Sequence, residues 1–197
     1  SKEVGTQFLK VYPQYEDKVS VFHNFLDVDG IRTKACLGSG FDDGYTGVRL
    51  VTVGRLHYQK GYDIAIKSLK LMVDAGRDIR WYILGEGPER VALERQISDF
   101  GLKERFILMG SMENPYPYIK NADIYVHATR FEGKSIAVEE AQILGKVIVA
   151  SDCTGNAEQI ISEYDGILLP LSAERLASEI MRVLDDKQLQ KSFLRTF

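Results

Sequence analysis

Cysteine is scarce in this chain. There are two among 197 residues, Cys36 and Cys153, far apart in sequence. They cannot form a zinc site by themselves, and a reduced, cytosolic setting is the simple expectation. Long apolar runs are missing as well: none approaches the roughly 18 residues needed to span a bilayer. The N-terminus opens with mixed charges, unlike a secretory signal. Excess charge of either sign is absent, with 25 Lys plus Arg against 28 Asp plus Glu and a net charge of -3. Such a chain has no bulk electrostatic footprint for nucleic acid. It contains no Gly-x4-Gly-Lys-Ser/Thr loop, no solenoid repeat and no low-complexity tract. What is present is ordinary for a globular protein: 45% hydrophobic and 27% charged residues. This excludes a disordered chain. The length suits one domain, or one domain plus a fragment, and buries enough core to need no disulfide or metal.

Short apolar, β-branched runs alternate with helical patterns. The runs are Val48 to Val53, Ile79 to Leu84, Arg105 to Met109, Ile124 to Val126, Lys146 to Ala150 and Gly166 to Leu169. Several are apolar throughout, as strands buried on both faces should be. Tyr62, Ala65, Ile66, Leu69, Met72 and Val73 fall on one helical face, with Gly76 as its stop. Pro88 is expected to open a second helix, striped by Leu93, Ile97 and Phe100 and ended by Gly101. Ser172 caps a third, striped by Leu176, Ala177, Ile180, Met181 and Leu184. This alternation predicts an α/β fold, a doubly wound, Rossmann-like parallel sheet with helices on both faces. The domain is expected over 46–197. Residues 1–45 do not share the rhythm: Phe8 to Tyr12 suggest part of a helix, Val19 to Phe22 a strand, and Gly-rich Leu37 to Gly47 a linker.

In an open parallel sheet, ligands bind beyond the C-terminal strand ends, at the switch point. After the first run comes Gly54-Arg55-Leu56-His57-Tyr58-Gln59-Lys60-Gly61. Two cations flank a turn into a helix, an arrangement suited to a diphosphate. The competing reading is a solvated turn with two surface cations. After the fourth run comes Thr129-Arg130-Phe131-Glu132-Gly133-Lys134-Ser135-Ile136, then Glu139 and Glu140. Glu132 in the loop and Glu140 in the helix can serve different hydroxyls of a sugar nucleotide, and the helix start at Lys134 to Ile136 offers backbone N–H groups to phosphate. The competing reading is a loop acid and a surface helix acid. Glu139 is expected to face solvent.

Together, Gly-Arg-Leu-x3-Lys-Gly and Glu-x7-Glu resemble the C-terminal domain of family 4, group 1, GT-B-fold glycosyltransferases. Further motifs match in order over about 150 residues: Leu84 to Glu89, Phe106 to Gly110, Ala122 to Val126, Gly145 to Asp152, Gly155 to Glu158 and Asp165 to Leu168. Departures are Val147 in place of a usual proline, and Lys134-Ser135 in place of Phe-Gly or Phe-Pro. The resemblance implies a nucleotide-sugar donor, UDP-linked by expectation, transferred with retention and without metal or other cofactor. Arg55 and Lys60 would grip the diphosphate and stabilise the leaving nucleotide. Glu132 would sit against the sugar. Gly54 would line the phosphate turn, and Gly133, Lys134, Ser135 and Ile136 would donate backbone N–H groups. Glu140 would accept both ribose hydroxyls. The same-face attack drawn for the family gives Glu132 no nucleophilic role. The acceptor, a saccharide or a lipid-linked sugar, would be bound through an N-terminal lobe absent here, with residues 1–45 as hinge and remnant. An isolated half of this kind should bind donor and turn over little. The expected location is the cytoplasm, with peripheral association at the inner membrane face as an option for the full-length enzyme.

Other readings compete. Asp27-Val28-Asp29 is a literal Asp-x-Asp metal motif, but Asn24 to Asp27 also fit the family's hinge segment. Gly85-Glu86-Gly87 begins like a dinucleotide fingerprint but has Arg90 where its third glycine belongs. His23, His57 and His127 are candidate acids or bases by type, with His127 expected as a packed strand residue. Cys153 reads as a small loop residue in preference to a nucleophile, and Tyr116 and Tyr118 as core packing, with an edge role against the nucleotide base as the alternative. A nucleotide-sugar epimerase or a non-catalytic nucleotide-sugar-binding protein on the same fold is the alternative function.

Overall fold

The structure is a computed structural model and describes residues 2–20 and 25–193. Six strands form one parallel sheet: β1 (Val48–Val53), β2 (Ile79–Leu84), β3 (Phe106–Gly110), β4 (Ile124–His127), β5 (Val147–Ser151) and β6 (Ile167–Leu169). Their order is β3-β2-β1-β4-β5-β6. The chain winds outward from β1 to β3, then crosses back to β4 on the other side of β1. The switch point therefore lies between the C-terminal ends of β1 and β4, where such sheets leave a crevice.

Helices α1 (Lys2–Val11) and α2 (Val28–Lys34) precede the sheet. Within it come α3 (Tyr62–Asp74), α4 (Arg90–Asp99), α5 (Tyr116–Asn121), α6 (Ile136–Ile143), α7 (Thr154–Ala157), α8 (Ala173–Asp185) and α9 (Lys187–Phe193). Alternate strand residues feed two cores. Leu50, Ile79, Trp81, Ile83, Val126 and Val149 meet α3, α4 and α8 on one face, while Val51, Tyr82, Leu84, Tyr125, Ile148 and Ala150 meet α5 and α6 on the other. A buried polar relay ties the central strands: the Trp81 indole donates to Thr52 Oγ1 at 3.0 Å, and Thr52 donates to the Val126 carbonyl at 2.7 Å. Both polar groups are thereby satisfied inside the core.

The expected strands and stripes are present, with boundary shifts of one or two residues. Helix α4 starts at Arg90, two residues after Pro88, because Gly87 to Glu89 form a turn closed by Arg90 N–H on the Gly87 carbonyl at 3.2 Å. The strand expected at Val19 to Phe22 is not formed at Val19 and Ser20, and Val21 and Phe22, like His23 and Asn24, lie outside the described residues.

The Leu37 to Gly47 stretch is irregular, but it is not a free linker. Phe41 packs against Tyr82 at 4.6 Å and Tyr118 at 5.2 Å between ring centroids. Asp43 accepts from Arg49 at 2.8 Å, from Arg80 at 3.1 Å and from the Tyr82 hydroxyl. Burial pushes the Asp43 carboxyl up, but the Tyr82 and Arg49 hydrogen bonds outweigh it and hold the group well below the usual range. Tyr45 donates to Asp78 at 3.0 Å, with the Arg80 guanidinium 4.3 Å from its ring centroid. Glycine spacing cannot reveal an anchor made by side chains on two strands.

Candidate functional site

The turn after β1 carries Gly54 to Gly61. Its end is a short 3-10 helix, Tyr58–Lys60, whose start is closed by Gln59 N–H donating to His57 Nδ1 at 3.2 Å. Gly61 then takes φ +62°, and a Cβ there would stand 2.2 Å from the Ala128 carbonyl. Only glycine permits both that conformation and that approach, which brings the turn against the end of β4. The turn is also stitched to the loop after β4. Arg130 N–H donates to the Gln59 carbonyl at 2.7 Å, and the Gln59 side chain donates to the Phe131 carbonyl at 2.8 Å. The Arg130 guanidinium forms a two-pronged pair with Asp63 at 2.9 and 2.8 Å and stacks 3.9 Å from the Tyr58 ring centroid. Arg130 is therefore a buttress, occupied on both sides.

At the centre of this stitching lies Glu132. Its Oε2 pairs with Lys60 Nζ, and His127 Nε2 lies 3.4 Å from the same oxygen. Gln59 Nε2 lies 3.4 Å from Oε1. Burial alone would raise the Glu132 carboxyl, but His127 and Lys60 reverse this and hold it at about 2. His127 is itself fully enclosed, and burial pushes its imidazole below the ordinary value. Glu132 is thus an ionised carboxylate beside a neutral histidine at neutral pH.

Glu140 lies on the second turn of α6 and is half-buried. It accepts from the Tyr116 hydroxyl on α5 at 2.9 Å. Burial raises its carboxyl despite that hydrogen bond, and burial and the Glu140 contact push Tyr116 up to about 12. The two acids therefore sit in opposite environments: one has its charge compensated and the other does not. Burial moves the enclosed Tyr125 phenol far upward, and the charges of both acids add to that shift. That phenol lies 3.5 Å from the Val53 carbonyl at the end of β1.

The start of α6 is fixed from below. Gln159 accepts from Ser135 N–H at 2.7 Å and donates to the Ser135 carbonyl at 2.9 Å. Among the four expected backbone donors, Ser135 is therefore already engaged. Gly155 lies so close that a Cβ would stand 1.8 Å from the Gly133 carbonyl and 2.4 Å from that of Glu132. Lys134 pairs with Glu139. The expectation that Glu139 faces solvent is corrected: its side chain is 18% exposed, because Lys134 folds onto the first turn of α6.

Of the expected site residues, Lys60 from the β1–α3 turn and Glu132 from the loop after β4 are brought into direct contact, Gly54 lies beside the Lys60 stem, and Glu140 meets Tyr116 on α5. Arg55, in the same turn as Lys60, is exposed and without a side-chain hydrogen bond or ion pair among the described residues. Ile136, the first residue of α6, is exposed. The sequence pattern does not single out Gln59 or Gln159, and it favours packing over a site role for His127 and Tyr116. Their signal was position: His127 ends β4 and Tyr116 opens α5, both beside the switch point. Asp27 caps α2, accepting from Gly30 N–H at 2.9 Å, which explains the first acid of Asp-x-Asp as a helix start. Among the described residues, no group of three or more His, Cys, Asp or Glu side chains is placed to hold a metal ion. No described helix is long and apolar enough to cross a membrane.

The fold is a doubly wound domain with a cationic turn after β1 and an acid-bearing loop and helix after β4. Comparison with known proteins makes the class definite: residues 46–195 match the model of the glycosyl transferases group 1 family, and the chain belongs to that family. It is 30% identical over 142 residues to an alpha-D-kanosaminyltransferase of Streptomyces kanamyceticus, covering 71% of this chain and 37% of that protein. It is 27% identical over 197 residues to a UDP-Gal:alpha-D-GlcNAc-diphosphoundecaprenol alpha-1,3-galactosyltransferase of Escherichia coli, covering 95% and 50%. The fold superposes on a glycosyltransferase structure from Rickettsia africae with a TM-score of 0.84 and 19% identity, over 99% of this chain and 55% of the other. The chain thus spans half or less of the length of these two curated relatives.

Proposed function

We propose that this chain is the donor-binding part of a retaining, metal-independent glycosyltransferase that uses a UDP-sugar and a saccharide or lipid-linked acceptor. The observation that carries the reading is the pairing of Lys60 from the turn after β1 with Glu132 from the loop after the neighbouring β4, with half-buried Glu140 on the helix that follows. Arg55 and Lys60 bind the diphosphate and stabilise the charge that develops on the departing nucleotide. Ionised Glu132 accepts hydrogen bonds from sugar hydroxyls. Glu140, half-buried and short of partners, gains two donors when ribose hydroxyls reach it. Support for UDP and for a lipid-linked acceptor comes from the name of the Escherichia coli relative.

Calorimetry with UDP, GDP and ADP tests the reading. UDP is expected to bind best. Arg55→Ala is expected to weaken it roughly tenfold, as loss of a charge-assisted hydrogen bond should, while leaving thermal stability unchanged because Arg55 is exposed and its side chain makes no hydrogen bond or ion pair among the described residues. Wild-type protein that binds none of the three nucleotides sinks the proposal.

A further inference from the structure

Lys60 has two claims on it. In this structure it neutralises Glu132, yet on the donor-site reading it must serve the diphosphate. A single ammonium on a flexible stem cannot satisfy both fully, so occupation of the phosphate turn loosens Lys60 from Glu132. The carboxylate then needs a donor that does not leave. The same oxygen, Oε2, already has one within 3.4 Å: His127 Nε2. His127 is the last residue of β4, its side chain 1% exposed. Its ring lies against Tyr125, centroids 6.3 Å apart and 16° from parallel. Its carbonyl accepts from the Ser151 hydroxyl of β5 at 3.3 Å. A ring enclosed at the end of an interior strand cannot follow a ligand, which is the property an anchoring donor needs.

Resting on the donor-site reading above, we propose that His127 is a positioning residue: it donates Nε2–H to Glu132 and keeps that carboxylate turned into the crevice when Lys60 moves to the diphosphate. The charged groups that act on its ring are Glu132 from the following loop and Lys60 from the β1–α3 turn. The neighbouring titratable ring is Tyr125 on its own strand, and β5 contributes the uncharged Ser151 hydroxyl at the His127 backbone. Burial keeps the imidazole neutral, so Nε2–H is offered without adding a second cation beside the sugar. His127 touches neither nucleotide nor reacting atoms in this scheme. It acts through Glu132.

The test separates the sugar from the nucleotide. Calorimetry is run with UDP and with UDP-glucose, UDP-galactose and UDP-N-acetylglucosamine. The quantity read is the gain in affinity of the best UDP-sugar over UDP. His127→Leu is expected to leave UDP affinity within about twofold and to cut the sugar gain roughly tenfold, the scale of one hydrogen bond to a charged group. His127→Gln, whose amide can reach the same oxygen, is expected to restore most of the gain. Retention of the full sugar gain in His127→Leu overturns the proposal, as does failure of His127→Gln to restore it. Should His127→Leu not fold, imidazole 15N spectra of the wild type decide. With three histidines in the chain, His127 is assigned by its loss in His127→Gln. It is expected as a neutral Nε2–H tautomer whose resonances shift on addition of UDP, and resonances unmoved by bound UDP refute the positioning role. Wild-type protein that binds UDP but gains nothing from any sugar overturns this proposal and leaves nucleotide binding standing. Wild-type protein that binds no nucleotide removes the donor-site reading itself.

Discussion

The Lys60–Glu132 pair is the contact on which the site's geometry most depends, and a double-mutant cycle measures it. The Glu132 carboxyl is held at about 2 against a reference of 4.5. At ~1.4 kcal/mol per pH unit, that is on the order of 3 kcal/mol favouring the ionised form in the folded state. The side chains are 17% and 13% exposed, so solvent screening removes little of it. Burial opposes the charge, and His127 and Lys60 share the compensation. Lys60→Met keeps the apolar stem and deletes the charge, leaving a carboxylate with one close donor. The expected loss at pH 7 is ~2 kcal/mol. Glu132→Gln strands the Lys60 ammonium less severely, because that side chain can swing to water, and ~1 kcal/mol is expected. The double variant should recover ~1–2 kcal/mol relative to the sum. Urea denaturation followed by the fluorescence of Trp81, the one tryptophan and fully buried, reads all four proteins. The acid limb gives a second reading. A carboxyl lowered in the folded state contributes stability that is complete above pH ~4.5 and drains away as pH falls toward ~2. Lys60→Met should lose part of that acid dependence. Additive losses within ~0.3 kcal/mol, or an unchanged acid limb, would refute the reasoning.

Two further outcomes follow from the same geometry. Burial raises Glu140 above the ordinary carboxylate value, so its ionised form costs stability at any pH above that value. Glu140→Gln should therefore raise the thermal midpoint of the free domain while weakening UDP binding in calorimetry; a lowered midpoint would contradict the assigned cause. Gly155→Ala forces a Cβ to within 1.8 Å of the Gly133 carbonyl, so a loss of ~1–3 kcal/mol in urea denaturation is expected, together with weaker UDP-sugar binding as Glu132 is displaced.

How much of this was legible follows from which interactions are local. Strands such as Ile79 to Leu84 declare themselves, because burial on both faces demands unbroken apolar runs. The stripe of α3 and the Ser172 cap of α8 are equally local, the latter accepting from Arg175 N–H at 3.2 Å. Glu132 and Glu140 could be nominated because motif spacing reports the loop and helix that carry them. That Lys60 is paired with Glu132 could not be read, since 72 residues separate the partners and their meeting depends on β1 lying beside β4. The same holds for Asp43, whose partners Arg49, Arg80 and Tyr82 come from two strands, and for Gln159, whose amide meets Ser135 across 24 residues of sequence. Glu139 was misjudged for a related reason: a helix wheel shows solvent on its face but not a lysine folded back from the preceding loop.

On the proposed donor-site reading, there is a reason why the environments of Glu132 and Glu140 differ in sign. A group that must point at sugar hydroxyls works best as a fixed acceptor, so its charge has to be supported before the ligand arrives. Glu132 has that support in Lys60 and His127. A group that is to gain hydrogen bonds from ligand hydroxyls works best when it starts under-satisfied, because each donor supplied by the ligand then relieves an existing desolvation cost. Glu140, half-buried with the Tyr116 hydroxyl beside it, is in that condition. On the proposed reading, nucleotide binding draws its free energy partly from relieving Glu140, while it pulls Lys60 away from Glu132. Sugar hydroxyls then restore what Glu132 loses. On that reading donor recognition is ordered through charge: the nucleotide end is rewarded at Glu140, and the cost it imposes at Glu132, which His127 offsets in part, is recovered in full when a sugar is attached.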